Sequence, residues 1–260
     1  MKIALAQMDV LAGRPEENLA RATSLAREAA SRGAQLLLLP ELWLAGFDLR
    51  HAAEHARAFR DHFQARWAEL AVSTGLYMAG SVVALDAAGR AANVALVLSP
   101  QGEVLASYHK VHLFAPMQET QYLAPGDAAP VFDLPWGRTA LAVCYDLRFP
   151  EIFRRFAREG AVLVLLPAQW PIPRIEHWRV LLRARAIENL SFVVGCNRAG
   201  RNRDGTVFGG RSAVAAPWGE VLVEAGEEEA LLFGKVDLDR VGPLRDEFPF
   251  LADRRDALYR

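Results

Sequence analysis

The sequence predicts an α/β protein built as a four-layer α-β-β-α sandwich of two mixed β-sheets. Three observations predict it. Apolar runs alternate with helical patterns along the chain. A strand–helix–strand scheme occurs once in each half. Each half then continues into hairpin-like strands. Each sheet would carry helices on one side and an apolar face on the other, and the two apolar faces would pack together.

KIALAQM (2–8) reads as a buried strand. Residues 15–32 place Leu19, Ala22, Leu25, Ala26, Ala29 and Ala30 on one helical face, with Pro15 at the start and Gly33 just past the end. LLLL (36–39) is a second buried strand. An amphipathic stretch follows over about 51–74, with Phe59, Phe63, Trp67 and Leu70 as its apolar residues. Strand-like runs at 76–85 and 93–99 are joined by DAAGR, and SPQGE turns the chain into VLASYHKVHLF. Residues 115–130 read as loop. In the second half GRTALAVC is a strand and PEIFRRFAREG a helix that starts at Pro150 and stops at Gly160. AVLVLLP (161–167) is a strand, HWRVLLRARAIENL (177–190) a helix and SFVVGCN (191–197) a strand. SAVAAPWGEVLVEAG (212–226) is a hairpin around PWGE. The charged tail from 243 is expected to wrap the surface or a partner. Nothing resembles a linker or a low-complexity tract, so one domain over 1–260 is the expectation.

Composition narrows the function classes. The net charge of −1 gives no basic footprint for nucleic acid. No apolar run approaches the roughly 20 residues of a membrane span. MKIALAQMDV has too short an apolar stretch and no cleavage-type ending for a signal peptide. The two cysteines, Cys144 and Cys196, are too few for a disulfide framework, which fits a reducing, cytoplasmic setting.

Four residues invite chemistry. Cys144 ends a buried strand where a helix is about to begin, and strand ends of α/β proteins face ligands. It is either an inert packed thiol or a nucleophile. Glu41 follows QLLLLP and is either a solvated loop carboxylate or a general base in a cleft. Lys110, in ASYHKVHLF, either guards a strand edge or stabilises developing negative charge. Glu119, in PMQETQYLAPGD, is a loop carboxylate. Cys196 lies in an apolar strand and reads as structural. His109 and His112 would fall on opposite faces of a strand, His51 and His55 lack a third ligand, and no metal site is expected. GxSxG, GxGxxG and P-loop patterns are absent.

LLLLPELWLAGF, YHKVHLF and AVCYDLRFPE, in that order, resemble the glutamate, lysine and cysteine segments of the nitrilase superfamily of carbon–nitrogen hydrolases. The similarity runs nearly end to end, through HWRVLLRARAIEN, the PWGE hairpin and FLADRRDALY. The family fold is the sandwich argued above, and its members usually form dimers or larger assemblies. The resemblance implies Cys144 as nucleophile, Glu41 as general base and acid, Lys110 as oxyanion stabiliser beside the Tyr145 backbone N–H, and Glu119 as a supporting carboxylate. It implies no metal or organic cofactor. CYDLRFPE, AQWPIPRIEHW and ARAIENLSFVVGCNRAG look most like the omega-amidase branch, which acts on 2-oxoglutaramate and related short amides. The deaminated-glutathione branch is the near rival. Hydrolases of N-carbamoyl compounds and a catalytically retired scaffold are further alternatives. A substrate of this class carries a carboxylate at its far end. Arg174 and Arg198 are candidate receivers, Phe114, Tyr122 and Trp170 candidate pocket walls, and Arg148 a structural partner for a carboxylate near the cysteine.

Overall fold

A computed structural model describes residues 1–202 and 204–258. β1 (Lys2–Gln7), α1 (Pro15–Ser31) and β2 (Leu36–Leu38) form the first strand–helix–strand unit. Pro15 sits in the first turn of α1, where its missing N–H leaves no bond unmade. The long amphipathic stretch is α2 (Ala52–Ala58), a π-helical turn at Phe59–Phe63, and α3 (Gln64–Thr74). β3 (Tyr77–Leu85), β4 (Ala91–Leu98) and β5 (Val104–His109) then run as a meander.

The second half holds a one-turn helix α4 (Glu119–Tyr122), β6 (Val131–Leu134), β7 (Gly137–Leu141), α5 (Pro150–Arg158), β8 (Leu163–Ala168), α6 (Ile175–Asn189) and β9 (Phe192–Asn197). The hairpin β10 (Ala213–Ala215) and β11 (Val221–Glu224), strand β12 (Ala230–Lys235) and α7 (Val241–Glu247) complete it. β6, β12 and α4 were not expected from sequence. α4 turns within the stretch read as loop. β6 spans four residues, too few for a period, and β12 follows no turn signal of the hairpin type. The charged tail turns back on the chain itself: the Arg245 guanidinium on α7 donates to the carbonyls of Ala161, Asn189 and Leu190.

Two six-stranded mixed sheets result, ordered β12-β1-β2-β3-β4-β5 and β11-β10-β9-β8-β7-β6. Three central strands of each, β1-β2-β3 and β7-β8-β9, are parallel; the flanking pairs are antiparallel. Alternation along the strands sorts side chains between layers. Ile3, Leu5, Leu36 and Leu38 point into the core shared with the second sheet. Ala4, Ala6, Leu37 and Leu39 point outward under α1 and α3, against Leu19, Ala22 and Trp67. On the other side, α6 lays Trp178 and Leu182 directly on Gly195 of β9, where a Cβ would collide with both. Glu41, Cys144 and Gln169 of the site below follow the parallel strands β2, β7 and β8, and Lys110 follows β5.

Candidate functional site

Glu41 follows β2 and is fully buried. The next residue, Leu42, has φ of +45°, a left-handed turn pinned by the Ser81 hydroxyl on its N–H at 2.9 Å. This turn throws the Glu41 carboxylate inward. Oε1 accepts from Asn93 Nδ2 at 2.9 Å and from Lys110 Nζ at 2.8 Å, while Oε2 accepts from the Gln169 backbone N–H at 3.0 Å.

Lys110 is the residue after β5. Its Nζ donates to Glu41 Oε1 and to both oxygens of Glu119, at 2.7 and 2.8 Å. Glu119 Oε2 also accepts from the Phe114 backbone N–H at 2.6 Å, tying the loop that follows β5 to the same centre. One ammonium thus faces two carboxylates, all out of contact with bulk solvent. Burial pulls the Lys110 ammonium toward deprotonation, but the charges of Glu119 and Glu41 outweigh it and hold it above the ordinary lysine range. Burial pushes the Glu119 carboxyl up, Lys110 opposes that, and the Glu41 charge adds to it.

Cys144 opens a tight helical turn, Cys144–Arg148, three residues past the end of β7. Its φ of +45° is uncommon outside glycine. The strained turn is braced from below. Asp146, fully buried, accepts from the Val143 N–H at 2.8 Å, the Tyr108 hydroxyl at 2.7 Å, and the His112 backbone and ring nitrogens at 3.1 and 2.8 Å. The Arg185 guanidinium holds the Leu147 carbonyl. Burial pushes the Cys144 thiol well above its usual range, and the Glu41 charge pushes the same way. Lys110 and the Gln169 backbone N–H oppose the shift without cancelling it. The resting thiol is therefore neutral.

Cys144, Lys110 and Gln169 line one narrow cavity with about 20 Å³ of free volume, room for about one water molecule. Phe114, Trp170 and Arg174, three of the residues expected at the pocket, line it. Trp170 Nε1 donates to the Arg174 carbonyl, and the Arg174 guanidinium lies 5.6 Å from the Phe114 ring. Tyr122 does not line this cavity. It packs beside Leu42, Leu49 and Leu123 and borders a separate hollow, because the single turn of α4 carries Glu119 inward and Tyr122 away. Arg198 does not line it either. It is 1 % exposed and held by Asp9 at 3.0 Å and by Gln169 Oε1 at 2.9 Å, so it is a buried, paired group behind the cavity rather than a surface residue. Arg148 does line the cavity. In place of a carboxylate it binds the His177 ring at 3.2 Å and lies 4.8 Å from Trp170. Cys196 is fully buried, as expected. Among the described residues no cluster of His, Cys, Asp or Glu is arranged to hold a metal, and no helix is long and apolar enough to cross a membrane.

Sequence reasoning missed Asn93, Gln169 and Asp146. Gln169 had one available signal, its place directly after the apolar run LVLLPA, as Glu41 follows LLLLP. Asn93 had another, a polar residue inside a fully buried strand.

The carbon–nitrogen hydrolase family model matches residues 2–246. The chain belongs to that family. It is 36 % identical over 257 residues to a 2-oxoglutaramate amidase of Bacillus subtilis (strain 168), covering 99 % of this chain and 98 % of the relative. It is 33 % identical over 266 residues to the human omega-amidase NIT2, covering 99 % and 96 %. Among solved structures it is similar to a glutamate-to-glutamine mutant of the amidase from Nesterenkonia sp. AN1, showing the result of Michael addition of acrylamide at the active site cysteine. That likeness has a TM-score of 0.89 at 33 % identity and covers 100 % of this chain and 98 % of the other. This carbon–nitrogen hydrolase therefore shares its sandwich with amidases, and its relatives align from one end of the sheets to the other.

Proposed function

We propose that this hydrolase is a cysteine-dependent amidase that releases ammonia from the ω-amide of a short substrate with a carboxylate at its far end, of which 2-oxoglutaramate is the best fit. The observation that carries the reading is Lys110 Nζ, 2.8 Å from Glu41 and 2.7 Å from Glu119, on the floor of the cavity that Cys144 lines.

Glu41 takes the thiol proton as sulfur attacks the amide carbon. A buried neutral thiol needs such a base. Lys110 and the Tyr145 backbone N–H receive the negative charge on the carbonyl oxygen; a donor of this kind is worth on the order of 10²–10³ in rate. The C–N bond breaks as Glu41 returns the proton to the leaving nitrogen, giving ammonia and a thioester. Water then attacks the thioester, Glu41 takes its proton, and the sulfur leaves protonated. Glu119 fixes Lys110 and, through Phe114, the wall of the cavity. No step needs a metal or an organic cofactor. Arg174 and Arg148, the cations at the mouth, receive the far carboxylate as charge-assisted hydrogen bonds. The names of the two curated relatives support this substrate class. The aromatic cluster of exposed Trp218 and Phe250 with half-buried Phe248 supports a homo-oligomer.

Ammonia release measured across 2-oxoglutaramate, deaminated glutathione, an N-carbamoyl amino acid and butyramide tests the reading. Turnover highest on 2-oxoglutaramate and abolished in Cys144→Ala is expected. Preference for another of the four moves the substrate and leaves the chemistry. Full turnover by Cys144→Ala refutes both.

A further inference from the structure

Gln169, directly after β8, adjoins Glu41 and lines the cavity beside Cys144. Its backbone N–H meets Glu41 Oε2 at 3.0 Å, and its side-chain Nε2 donates to the Glu41 carbonyl at 2.6 Å. Gln169 is 1 % exposed, so bulk solvent does not hold it. What holds it is Arg198, the residue after β9, whose Nη1 donates to Gln169 Oε1 at 2.9 Å.

We propose that Arg198 is a positioning residue of the reaction, acting on Glu41 and Cys144 through Gln169. The inference rests on the roles proposed above for those two groups. A side-chain amide has one accepting and one donating end, and a guanidinium carries donors only. Arg198 therefore admits only the oxygen of Gln169 on its side and forces Nε2 toward the Glu41 carbonyl. Without Arg198 the amide can turn over, which sets its oxygen against that carbonyl and loosens the Glu41 turn.

Arg198 is itself locked. Nε and Nη2 meet Asp9 Oδ1 at 3.3 and 3.0 Å, Nη1 and Nη2 meet the Asn202 side chain and the Arg201 carbonyl, and the guanidinium lies 4.3 Å from the Phe208 ring. Asp9 reaches it only because residue 200 is glycine: a Cβ there would run into the Asp9 carboxylate. Asp9 and Glu41 follow β1 and β2, neighbours in one sheet. Gln169 and Arg198 follow β8 and β9, neighbours in the other. The bonds Asp9–Arg198–Gln169–Glu41 thus cross between the sheets twice, and they end on the group that moves the proton. Arg198 touches neither the cavity nor the reacting atoms.

The test compares Arg198→Met, Arg198→Lys, Asp9→Asn and Glu41→Gln in the full chain, with 2-oxoglutaramate as substrate and iodoacetamide as thiol probe, at a temperature where circular dichroism finds each variant folded. Arg198→Met is expected to lower kcat roughly 10–100-fold, the usual effect of losing an orienting partner, with KM within about threefold. Alkylation of Cys144 slows in step. Arg198→Lys, which keeps a donor for Gln169 Oε1, recovers most of the loss. If Arg198→Met does not fold, Asp9→Asn carries the test, with a smaller loss in kcat and the same KM. A folded Arg198→Met or Asp9→Asn with unchanged kcat, or an Arg198→Lys no better than the methionine variant, overturns the proposal. Unchanged turnover by Glu41→Gln would instead overturn the underlying reading of the site.

Discussion

Replacing Glu119 with glutamine probes the charged centre with almost no change in shape. Glu119 supplies acceptors to three N–H groups: two contacts from Lys110 Nζ and one from the Phe114 backbone. Glutamine keeps one oxygen and brings two donors. If the oxygen faces Lys110 Nζ alone, the new NH₂ confronts the Phe114 N–H. If it faces Phe114, the NH₂ confronts the ammonium. Either way a buried donor loses its acceptor, at about 1–3 kcal/mol. The upper end applies, because the ammonium is charged and 1 % exposed. The melting temperature should fall by about 2–4 °C for each kcal/mol lost. If Lys110 is the oxyanion donor, freeing it forfeits much of the 10²–10³ such a donor supplies. A hundredfold lower kcat, about 2.7 kcal/mol in barrier, is therefore expected. Ammonia release at saturating substrate, well below the melting transition, gives the rate. Differential scanning fluorimetry gives the stability. Glu119→Gln with kcat within about threefold of the parent and an unmoved melting temperature would refute the argument, since Glu41 alone would then suffice to hold Lys110.

Two further outcomes follow from the same structure. Burial holds Cys144 and Cys196 above their ordinary 9.0; burial and the Asp146 charge hold Tyr108 above 10.0; and Lys110 is held above 10.5. Each keeps a proton in the folded chain that the unfolded chain releases, so stability falls as pH rises above about 9, by about 1.4 kcal/mol per pH unit for each proton. Cys196→Ala should flatten the alkaline slope of ΔG, measured by urea unfolding, by one such unit, and an unchanged slope would contradict the assignment. Arg174→Ala should raise KM for 2-oxoglutaramate about tenfold, a charge-assisted bond discounted for partial exposure. KM for butyramide, which has no carboxylate, should stay within about threefold. Equal effects on both substrates would place the far carboxylate elsewhere.

The strand ends were legible because apolar runs announce them: LLLLP before Glu41 and TALAV before Cys144 mark where parallel strands stop and side chains turn toward a ligand. What the runs do not encode is the direction of a side chain in a short irregular turn. Glu119 and Tyr122 both lie on α4, yet one enters the charged centre and the other joins Leu42 and Leu123. The burial of Arg198 was illegible for a different reason. Its partner Asp9 is 189 residues away, and no local pattern reports a pairing made by two sheets meeting. β12 was missed on the same ground, since its partner is the first strand of the chain.

That pairing has a consequence for synthesis. β1 lies inside its sheet, with β2 on one flank and β12 on the other, and Gln7 pairs with Ala230. While a ribosome is still extending the chain, β1 has already emerged with Ile3 and Leu5, yet one of its hydrogen-bonding edges stays bare until the residues from 230 onward appear. An uncovered apolar edge is a template for pairing with other chains. Nascent polypeptides halted before Ala230 should therefore clump or recruit chaperones, whereas chains released beyond Lys235 can close the sheet unaided.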